Sequence, residues 1–180
     1  YMSLASSITG LFFTFYGHLS IGILCLALSG LFDAFDGRVA RSKKDRTKDE
    51  KRFGIQIDSL CDLVSFGVFP VVLCWYSGMN TPAGMIILVL YCLAGMIRLA
   101  YYNVLEEKKN NDVEDAEVVE TPDGRKYFHG MPITAISVGL PVLYVTSPLL
   151  GSYFPIALHA IMILAMVLFI TDFRFPKPTT

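Results

Sequence analysis

Six long apolar stretches divide this sequence and limit what it can fold into. They cover approximately residues 2–17, 19–35, 57–77, 82–104, 131–149 and 152–172. A helix needs about 20 apolar residues to cross the hydrocarbon core of a bilayer. Of the 180 residues, 53% are hydrophobic and only 17% are charged, whereas soluble domains are about 25% charged. The sequence therefore predicts an all-α, polytopic membrane protein with six transmembrane helices in a single domain, residues 1–180.

The basic residues indicate how these helices are oriented. The connections at residues 17–18, 77–81 and 150–151 contain no Lys or Arg, whereas residues 42–53, residues 105–128 and the C-terminal tail contain many. In the six-span arrangement all 15 basic residues fall on one side, which the positive-inside rule assigns to the cytoplasm. We therefore expect cytoplasmic loops at about 42–53 and 105–128 in an integral protein of the cell membrane. The net charge of −1 gives no reason to expect a nucleic-acid partner.

The first of two aspartate pairs ends the second apolar stretch, in LFDAFDGRVAR. The stretch is long enough to cross a membrane if its helix runs from Leu19 through Asp36 to Arg41. Read as a helix, one face of this segment carries Asp33, Asp36, Gly37, Ala40 and Arg41. Carboxylates at the end of a membrane helix are costly, which marks them as functional. The small side chains of Gly37 and Ala40 leave room beside the helix, and Arg41 offers a planar donor group for a phosphate.

The second pair begins the third apolar stretch, in FGIQIDSLCDLVSFG. We expect this helix to begin near Gly54 and to extend to Tyr76, with a kink at Pro70. Here one helical face carries Gly54, Asp58, Asp62 and Ser65. Two such faces turned toward each other would supply oxygen ligands for hard divalent cations. Because two cations can neutralise a pyrophosphate and clamp the attacked phosphorus, the four acids indicate phosphoryl transfer.

The spacing D-x-x-D-G-x-x-A-R, followed by G-x-x-x-D-x-x-x-D, resembles the motif of the CDP-alcohol phosphatidyltransferases. The twelve residues between Arg41 and Gly54 exceed the interval typical of that family, and we interpret them as a lengthened cytoplasmic loop. The resemblance implies a CDP-diacylglycerol substrate drawn from the membrane lipids, two divalent cations (Mg²⁺ or Mn²⁺) and a homodimer.

The resemblance also implies roles for the motif residues. Asp33, Asp36 and Asp58 would be the principal metal ligands. Asp62 would bind the second metal and act as the general base for the incoming alcohol. The CDP-lipid would be bound by residues of both segments, namely Asp36, Gly37, Ala40, Arg41 and Gly54.

The residues around the second pair favour L-serine as the acceptor alcohol. The segment IQIDSLCDLVSFGVFP is similar to that of the phosphatidylserine-forming members of the family, and Ser59 and Ser65 match their pattern. Arg98 is the only basic residue within an apolar stretch, where an unpaired charge is costly. It would bind the serine carboxylate or a substrate phosphate, or else form a structural salt bridge to a motif aspartate.

Two alternatives to serine transfer stay open at this stage. The same chemistry could use another alcohol, such as glycerol phosphate or inositol phosphate. Outside this class, the aspartates could belong to a divalent-cation transporter. Transporters usually place such sites near the bilayer midplane, between repeated halves. Here the acids lie at predicted cytoplasmic helix ends and no repeat is visible, which favours the enzyme.

Overall fold

The structure, a computed structural model, describes residues 1–42, 47–110, 127–129, 131–171 and 174–176. Side-chain surroundings are described for residues 1–36, 47, 49–107 and 131–171. The α-helices of this part of the chain are α1 (Met2–Phe15), α2 (Leu19–Ser42), α3 (Lys48–Asp62), α4 (Phe69–Tyr76), α5 (Pro82–Asn110), α6 (Ile136–Val145), α7 (Ser147–Leu150) and α8 (Phe154–Ile170). A π-helical turn, Leu63–Val68, joins α3 to α4, and 3₁₀ turns at Ile133–Ala135 and Gly151–Tyr153 precede α6 and α8.

Four helical segments are long and apolar enough to cross a membrane. They are Leu19–Asp36, Asp49–Tyr76, Pro82–Glu107 and Ser147–Ile170. Two further apolar helices, Met2–Phe15 and Ile133–Val145, are shorter. At about 1.5 Å per residue, α1 extends about 21 Å, which is less than the hydrocarbon thickness of about 30 Å. The chain is an integral membrane protein with a helical fold, and the count of six crossings stays a prediction.

The outer surface of the bundle is apolar, as a lipid environment requires. Large aliphatic side chains such as Ile86, Ile97, Ile156 and Leu164 are each more than half exposed. Soluble monomers rarely expose large contiguous apolar patches. The burial pattern therefore agrees with the membrane location that the composition predicts.

The core of the bundle lies where α2, the π-turn, α4, α5 and α8 meet. Its fully buried side chains include Leu26, Phe66, Phe69, Tyr91 and Met162. Around it, α1 packs along α2, α5 packs along α8, and α6 packs against α2. This packing fixes the position of α2 relative to the π-turn and hence to α3.

Gly30 lies where α2 meets α6, and the contact leaves no room for a side chain. A Cβ atom at Gly30 would overlap Ser137 and come within 2.6 Å of its Cβ. We expect Gly30→Ala to lower the Tm in detergent by about 2–12 °C, from an overpacking cost of about 1–3 kcal/mol. Gly139→Ala on α6 is the matched control and should change the Tm less, because its new Cβ would meet only the flexible Cδ1 of Ile161, at 3.2 Å. An unchanged Tm for Gly30→Ala would contradict this packing.

The predicted loop at 42–53 is wrong in its second half, because α3 begins at Lys48 rather than near Gly54. Thr47 caps the helix: its hydroxyl accepts from the Glu50 N–H (3.2 Å), and its own N–H donates to the Glu50 carboxylate (2.9 Å). This reciprocal cap satisfies two N–H groups that would otherwise lack partners. The rest of the predicted loop, residues 43–46, lies outside the described residues.

The predicted loop at 105–128 is also too long, because α5 continues to Asn110. An ion pair between Arg52 and Glu107 joins the two helical extensions and gives the end of α5 a packing partner. Residues 111–126 lie outside the described part of the chain.

The predicted all-α class is confirmed for the membrane helices, and a small sheet is added to them. Strand β1 (Tyr127–His129) pairs with strand β2 (Arg174–Pro176) in an antiparallel arrangement, with Phe128 opposite Phe175. The sequences YFH and RFP contain aromatic residues, which favour strands, but three residues are too few to show a periodicity. The sheet joins two segments that the sequence analysis had placed on the same, cytoplasmic side.

Candidate active site

The structure brings the four motif aspartates together. Asp33 and Asp36 lie in the C-terminal half of α2, and Asp58 and Asp62 lie at the end of α3. The carboxyl groups of Asp33 and Asp62 are close enough to interact electrostatically, and Asp33 also interacts with Asp36 and Asp58. The two helical faces expected from the sequence thus meet, and they form a concentrated negative site.

Asp62 is the least satisfied member of the cluster. Its Oδ1 atom is fully buried and has no hydrogen-bond partner among the side chains that the structure describes. A buried polar atom without a partner costs about 1–3 kcal/mol, and a charged one costs more. A cation or a proton at this atom would remove the cost, so the geometry favours a site that binds positive charge.

Asp36 and Asp58 are more accessible than Asp62. The side chain of Asp36 is 34% exposed and lies beside the start of α1. The cluster thus has a partly exposed edge, at Asp36, and a buried end, at the Oδ1 atom of Asp62.

The donor set fits hard divalent cations, because all four side chains supply carboxylate oxygens. The unpartnered Oδ1 atom of Asp62 is the structural observation that supports this fit. Within the described residues, no three Asp, Glu, His or Cys side chains already converge as a preformed set of metal ligands. The cluster therefore has the composition of a metal site, and its closure on an ion is a proposal developed below.

The residues expected to bind the CDP-lipid lie on the same helices. Gly37, Ala40 and Arg41 belong to the last turns of α2, where the helix is described but the side chains are not. Gly54 lies in α3, one turn before Asp58. Their contacts with substrate stay predictions.

Two of the expected acceptor-binding residues lie at the contact of α3 with α5. Ser59 donates a hydrogen bond to Oδ1 of Asn103, at 2.6 Å. Arg98 is only 4% exposed, donates from Nη2 to the Tyr102 hydroxyl at 2.9 Å, and lies over the Tyr102 ring at 4.4 Å. Asn103 of α5 thus contacts α3 at the residue that follows Asp58.

Ser65, the third expected acceptor-binding residue, lies inside the π-turn. It is fully buried, and its hydroxyl lies 3.5 Å from that of Ser3 on α1. This position makes Ser65 part of the packing between α1 and the π-turn. A role in acceptor binding stays a prediction.

The sequence analysis did not single out Tyr91, which the structure places against the same segment. Its hydroxyl donates to the backbone carbonyl of Phe66, at 2.6 Å, and its side chain is fully buried. The sequence indicates the need for such a donor through Pro70, because proline has no N–H to donate to the Phe66 carbonyl four residues earlier. The partner that compensates for it lies on another helix, so the sequence could not identify it.

Comparison with known proteins agrees with this geometry. A model of the CDP-alcohol phosphatidyltransferase family matches residues 1–171. The chain belongs to this family. The resemblance drawn from the aspartate motif is thereby confirmed.

Three relatives illustrate the match. The CDP-diacylglycerol–serine O-phosphatidyltransferase of Methanocaldococcus jannaschii is 32% identical over 98% of this chain and 72% of its own length. The archaetidylserine synthase of Methanothermobacter thermautotrophicus is 32% identical over 89% of this chain and 60% of its own length. The CDP-diacylglycerol–serine O-phosphatidyltransferase of Saccharomyces cerevisiae is 34% identical over 66% of this chain and 40% of its own length. No solved structure matches the chain.

Proposed function

We propose that this family member transfers the phosphatidyl group of CDP-diacylglycerol to L-serine, giving phosphatidylserine and CMP. The observation that carries the proposal is the meeting of Asp33, Asp36, Asp58 and Asp62 between α2 and α3. The choice of serine is supported by the relatives, whose names specify serine transfer, and by the residues that follow Asp58. The family match gives no support to the cation-transporter alternative.

The reaction in this proposal is a direct in-line displacement. The serine hydroxyl oxygen forms a bond to the phosphatidyl phosphorus, and the bond from that phosphorus to the bridging oxygen of the pyrophosphate breaks. CMP leaves with the bridging oxygen. Asp62 takes the hydroxyl proton, a role suited to a buried carboxylate oxygen that has no hydrogen-bond partner among the described side chains. No covalent enzyme intermediate is required.

Enzymes of the family generally use divalent metal ions. In this chain two such ions, either Mg²⁺ or Mn²⁺, would be held by the motif aspartates Asp33, Asp36, Asp58 and Asp62. When bound, the ions neutralise the pyrophosphate charge and polarise the attacked phosphorus. The chain itself orients the substrates: Arg41 would hold a phosphate of the CDP group beside Gly37 and Ala40, and Gly54 would leave room for it.

Arg98 is the residue of α5 best suited to the serine carboxylate, beside Ser59 and Ser65 as tentative contacts. A planar guanidinium binds a carboxylate through two parallel hydrogen bonds, which an ammonium group cannot reproduce. We expect Arg98→Lys to raise the KM for serine about tenfold, with a smaller change in the KM for CDP-diacylglycerol.

Steady-state kinetics with each substrate varied in turn measures both KM values. Arg52→Lys is the matched control, since Arg52 is largely exposed and pairs with Glu107 near the helix ends. It should leave both KM values within about twofold, as surface ion pairs contribute little. A selective rise in the KM for CDP-diacylglycerol in Arg98→Lys would instead place Arg98 at a substrate phosphate.

We also propose that the chain crosses the membrane six times, with both termini and the aspartates on the cytoplasmic side of the cell membrane, and that it functions as a homodimer. The distribution of the basic residues supports this topology. CDP and serine would reach the site from water while the lipid tails stay in the bilayer. Accessibility of single cysteines introduced at residues 17–18 and 77–81 to an impermeant thiol reagent tests the arrangement.

An acceptor panel tests the choice of serine. Detergent-solubilised protein is supplied with CDP-diacylglycerol, Mn²⁺ and one of serine, glycerol phosphate or inositol phosphate, and CMP release and lipid product are measured. We expect CMP release with serine alone. Release only with another acceptor would reject serine and keep the chemistry. A parallel series with CDP-archaeol tests the lipid, because one relative is named an archaetidylserine synthase.

A further inference from the structure

The segment between Asp62 and Pro70 is a π-helical turn rather than part of a regular α-helix. It spans Leu63–Val68 and runs directly from α3 into α4. At its end the Phe69 N–H donates to the carbonyl of Val64, five residues earlier. Such a turn inserts one extra residue into a helix. Because one residue corresponds to about 100° of rotation, the turn sets the direction in which Asp58 and Asp62 face relative to the buried α4.

Pro70 and Tyr91 together account for the π-turn. In a continuous α-helix, the carbonyl of Phe66 would accept from the N–H of residue 70, and proline has none. The Tyr91 hydroxyl donates to this carbonyl at 2.6 Å, and both side chains are fully buried. A buried carbonyl without a donor is costly, most of all inside a membrane. Tyr91 therefore supplies from α5 the hydrogen bond that Pro70 removes.

The same helix holds α3 at two further points. Asn103 of α5 accepts from Ser59, and Glu107 pairs with Arg52. The three residues held by α5, namely Arg52, Ser59 and Phe66, are spaced seven apart, so they follow one strip of the α3–π-turn segment. Asp58 and Asp62 lie beside this strip. Because α5 holds this strip, the extra residue of the π-turn determines how α3 is rotated about its axis. That rotation determines whether the carboxylates of Asp58 and Asp62 face α2.

We propose that Tyr91 is a positioning residue for the aspartate cluster: its hydroxyl holds the π-turn that directs Asp62 toward Asp33. This inference rests on the proposed function, which assigns metal binding to the aspartate cluster. It predicts that removing one hydroxyl group, far along the chain from the motif, weakens cation binding by the motif.

The test compares Tyr91→Phe with the wild type in detergent. Mn²⁺ binding is measured without substrates by the loss of the free-ion EPR signal, and CMP release is measured with saturating Mn²⁺. We expect the Kd for Mn²⁺ to rise about tenfold or more and kcat to fall about 10–100-fold, since small misplacements of catalytic groups cost up to about 10²-fold. Tyr144→Phe is the matched control, because it removes another tyrosine hydroxyl contact, to Ser20 at 3.1 Å. It should leave both quantities unchanged.

A second variant separates positioning from stability. Pro70→Ala restores an N–H at residue 70, so in Tyr91→Phe/Pro70→Ala the Phe66 carbonyl can be satisfied within the helix. We expect this double variant to regain the Tm lost by Tyr91→Phe but not its Mn²⁺ affinity or kcat, because the new bond has α-helical register. If Tyr91→Phe does not accumulate as folded protein, the double variant is compared with the wild type instead. We then expect the double variant to bind Mn²⁺ more weakly than the wild type.

Three outcomes would overturn the inference. Tyr91→Phe could bind Mn²⁺ and turn over like the wild type, or the double variant could recover Mn²⁺ affinity together with Tm. The wild type could also fail to bind Mn²⁺. The proposed function is judged separately, by serine-dependent CMP release from the wild type. A wild type that releases no CMP but binds Mn²⁺ more tightly than Tyr91→Phe would reject the serine reaction and keep the role of Tyr91.

Discussion

Asp62→Asn is expected to lower kcat for serine-dependent CMP release by about 10²–10⁴-fold, the range contributed by a positioned general base. The amide keeps the size of the carboxyl group but cannot take the proton of the serine hydroxyl. Asp62 is the candidate base because its Oδ1 atom is buried without a partner among the described side chains, within the cluster that holds Asp33. Initial rates of CMP release at saturating substrate concentrations measure the effect.

The amount of Mn²⁺ supplied separates the two roles given to Asp62. Loss of a metal ligand is offset by a higher Mn²⁺ concentration, whereas loss of the base is not, so we expect no recovery of kcat at saturating Mn²⁺. Asp49→Asn is the matched control. It lies in the first turn of α3, is exposed, and should leave kcat within about twofold. Full recovery of Asp62→Asn by Mn²⁺ would contradict the role of Asp62 as base.

Removal of divalent cations is expected to lower activity by about 10²-fold or more, since bound metals supply several kcal/mol of transition-state stabilisation. Four carboxylates lie near one another between α2 and α3. A cation would relieve their mutual repulsion and give the buried Oδ1 atom of Asp62 a partner. The measurement is CMP release after treatment with EDTA, followed by addition of Mg²⁺ or Mn²⁺. We expect either ion to restore activity.

The control for chelation is EDTA that has been saturated with Mg²⁺ beforehand, which should leave the rate unchanged. Residual metal is quantified by elemental analysis of the treated protein. Undiminished serine-dependent turnover with less than one metal ion per active site would contradict the account of the cluster. Restoration by neither ion, in protein that stays folded by size exclusion and Tm, would contradict the choice of Mg²⁺ or Mn²⁺.

Most helices could be predicted from the sequence because apolar length and motif periodicity are local signals. The helix expected from Leu19 through Asp36 to Arg41 is confirmed, since α2 ends at Ser42. The sequence predicts that α3 begins near Gly54, whereas it begins at Lys48, among charged residues. The cap formed by Thr47 and Glu50 outweighs that polarity, and it has the recognisable S/T-x-x-E form.

The remaining differences come from contacts between segments distant in sequence. The strand pairing of Tyr127–His129 with Arg174–Pro176 joins residues more than forty positions apart and has no periodic signal. The π-turn could not be predicted either. Pro70 predicts a kink, but the form of the kink depends on the hydrogen bond from Tyr91, which lies on another helix.

In the candidate site, too, some residues could be predicted from the sequence and others could not. The spacing of Asp33, Asp36, Asp58 and Asp62 predicted that four carboxylates would share two helical faces, and the structure brings these faces together. Asn103, the partner of Ser59, could not be assigned from spacing, because hydrogen bonds between helices depend on how the helices pack. Sequence therefore identified the charged groups, and the structure adds the side chains that hold them.

The most direct test of the central claim is the transfer of radiolabelled serine into lipid by the purified wild-type chain in detergent, with CDP-diacylglycerol and Mn²⁺. We expect labelled phosphatidylserine in amounts equal to the CMP released, and no labelled lipid when CDP-diacylglycerol is left out. CMP release without label in the lipid, or label in the lipid without CMP, would contradict the proposed transfer of the phosphatidyl group to serine.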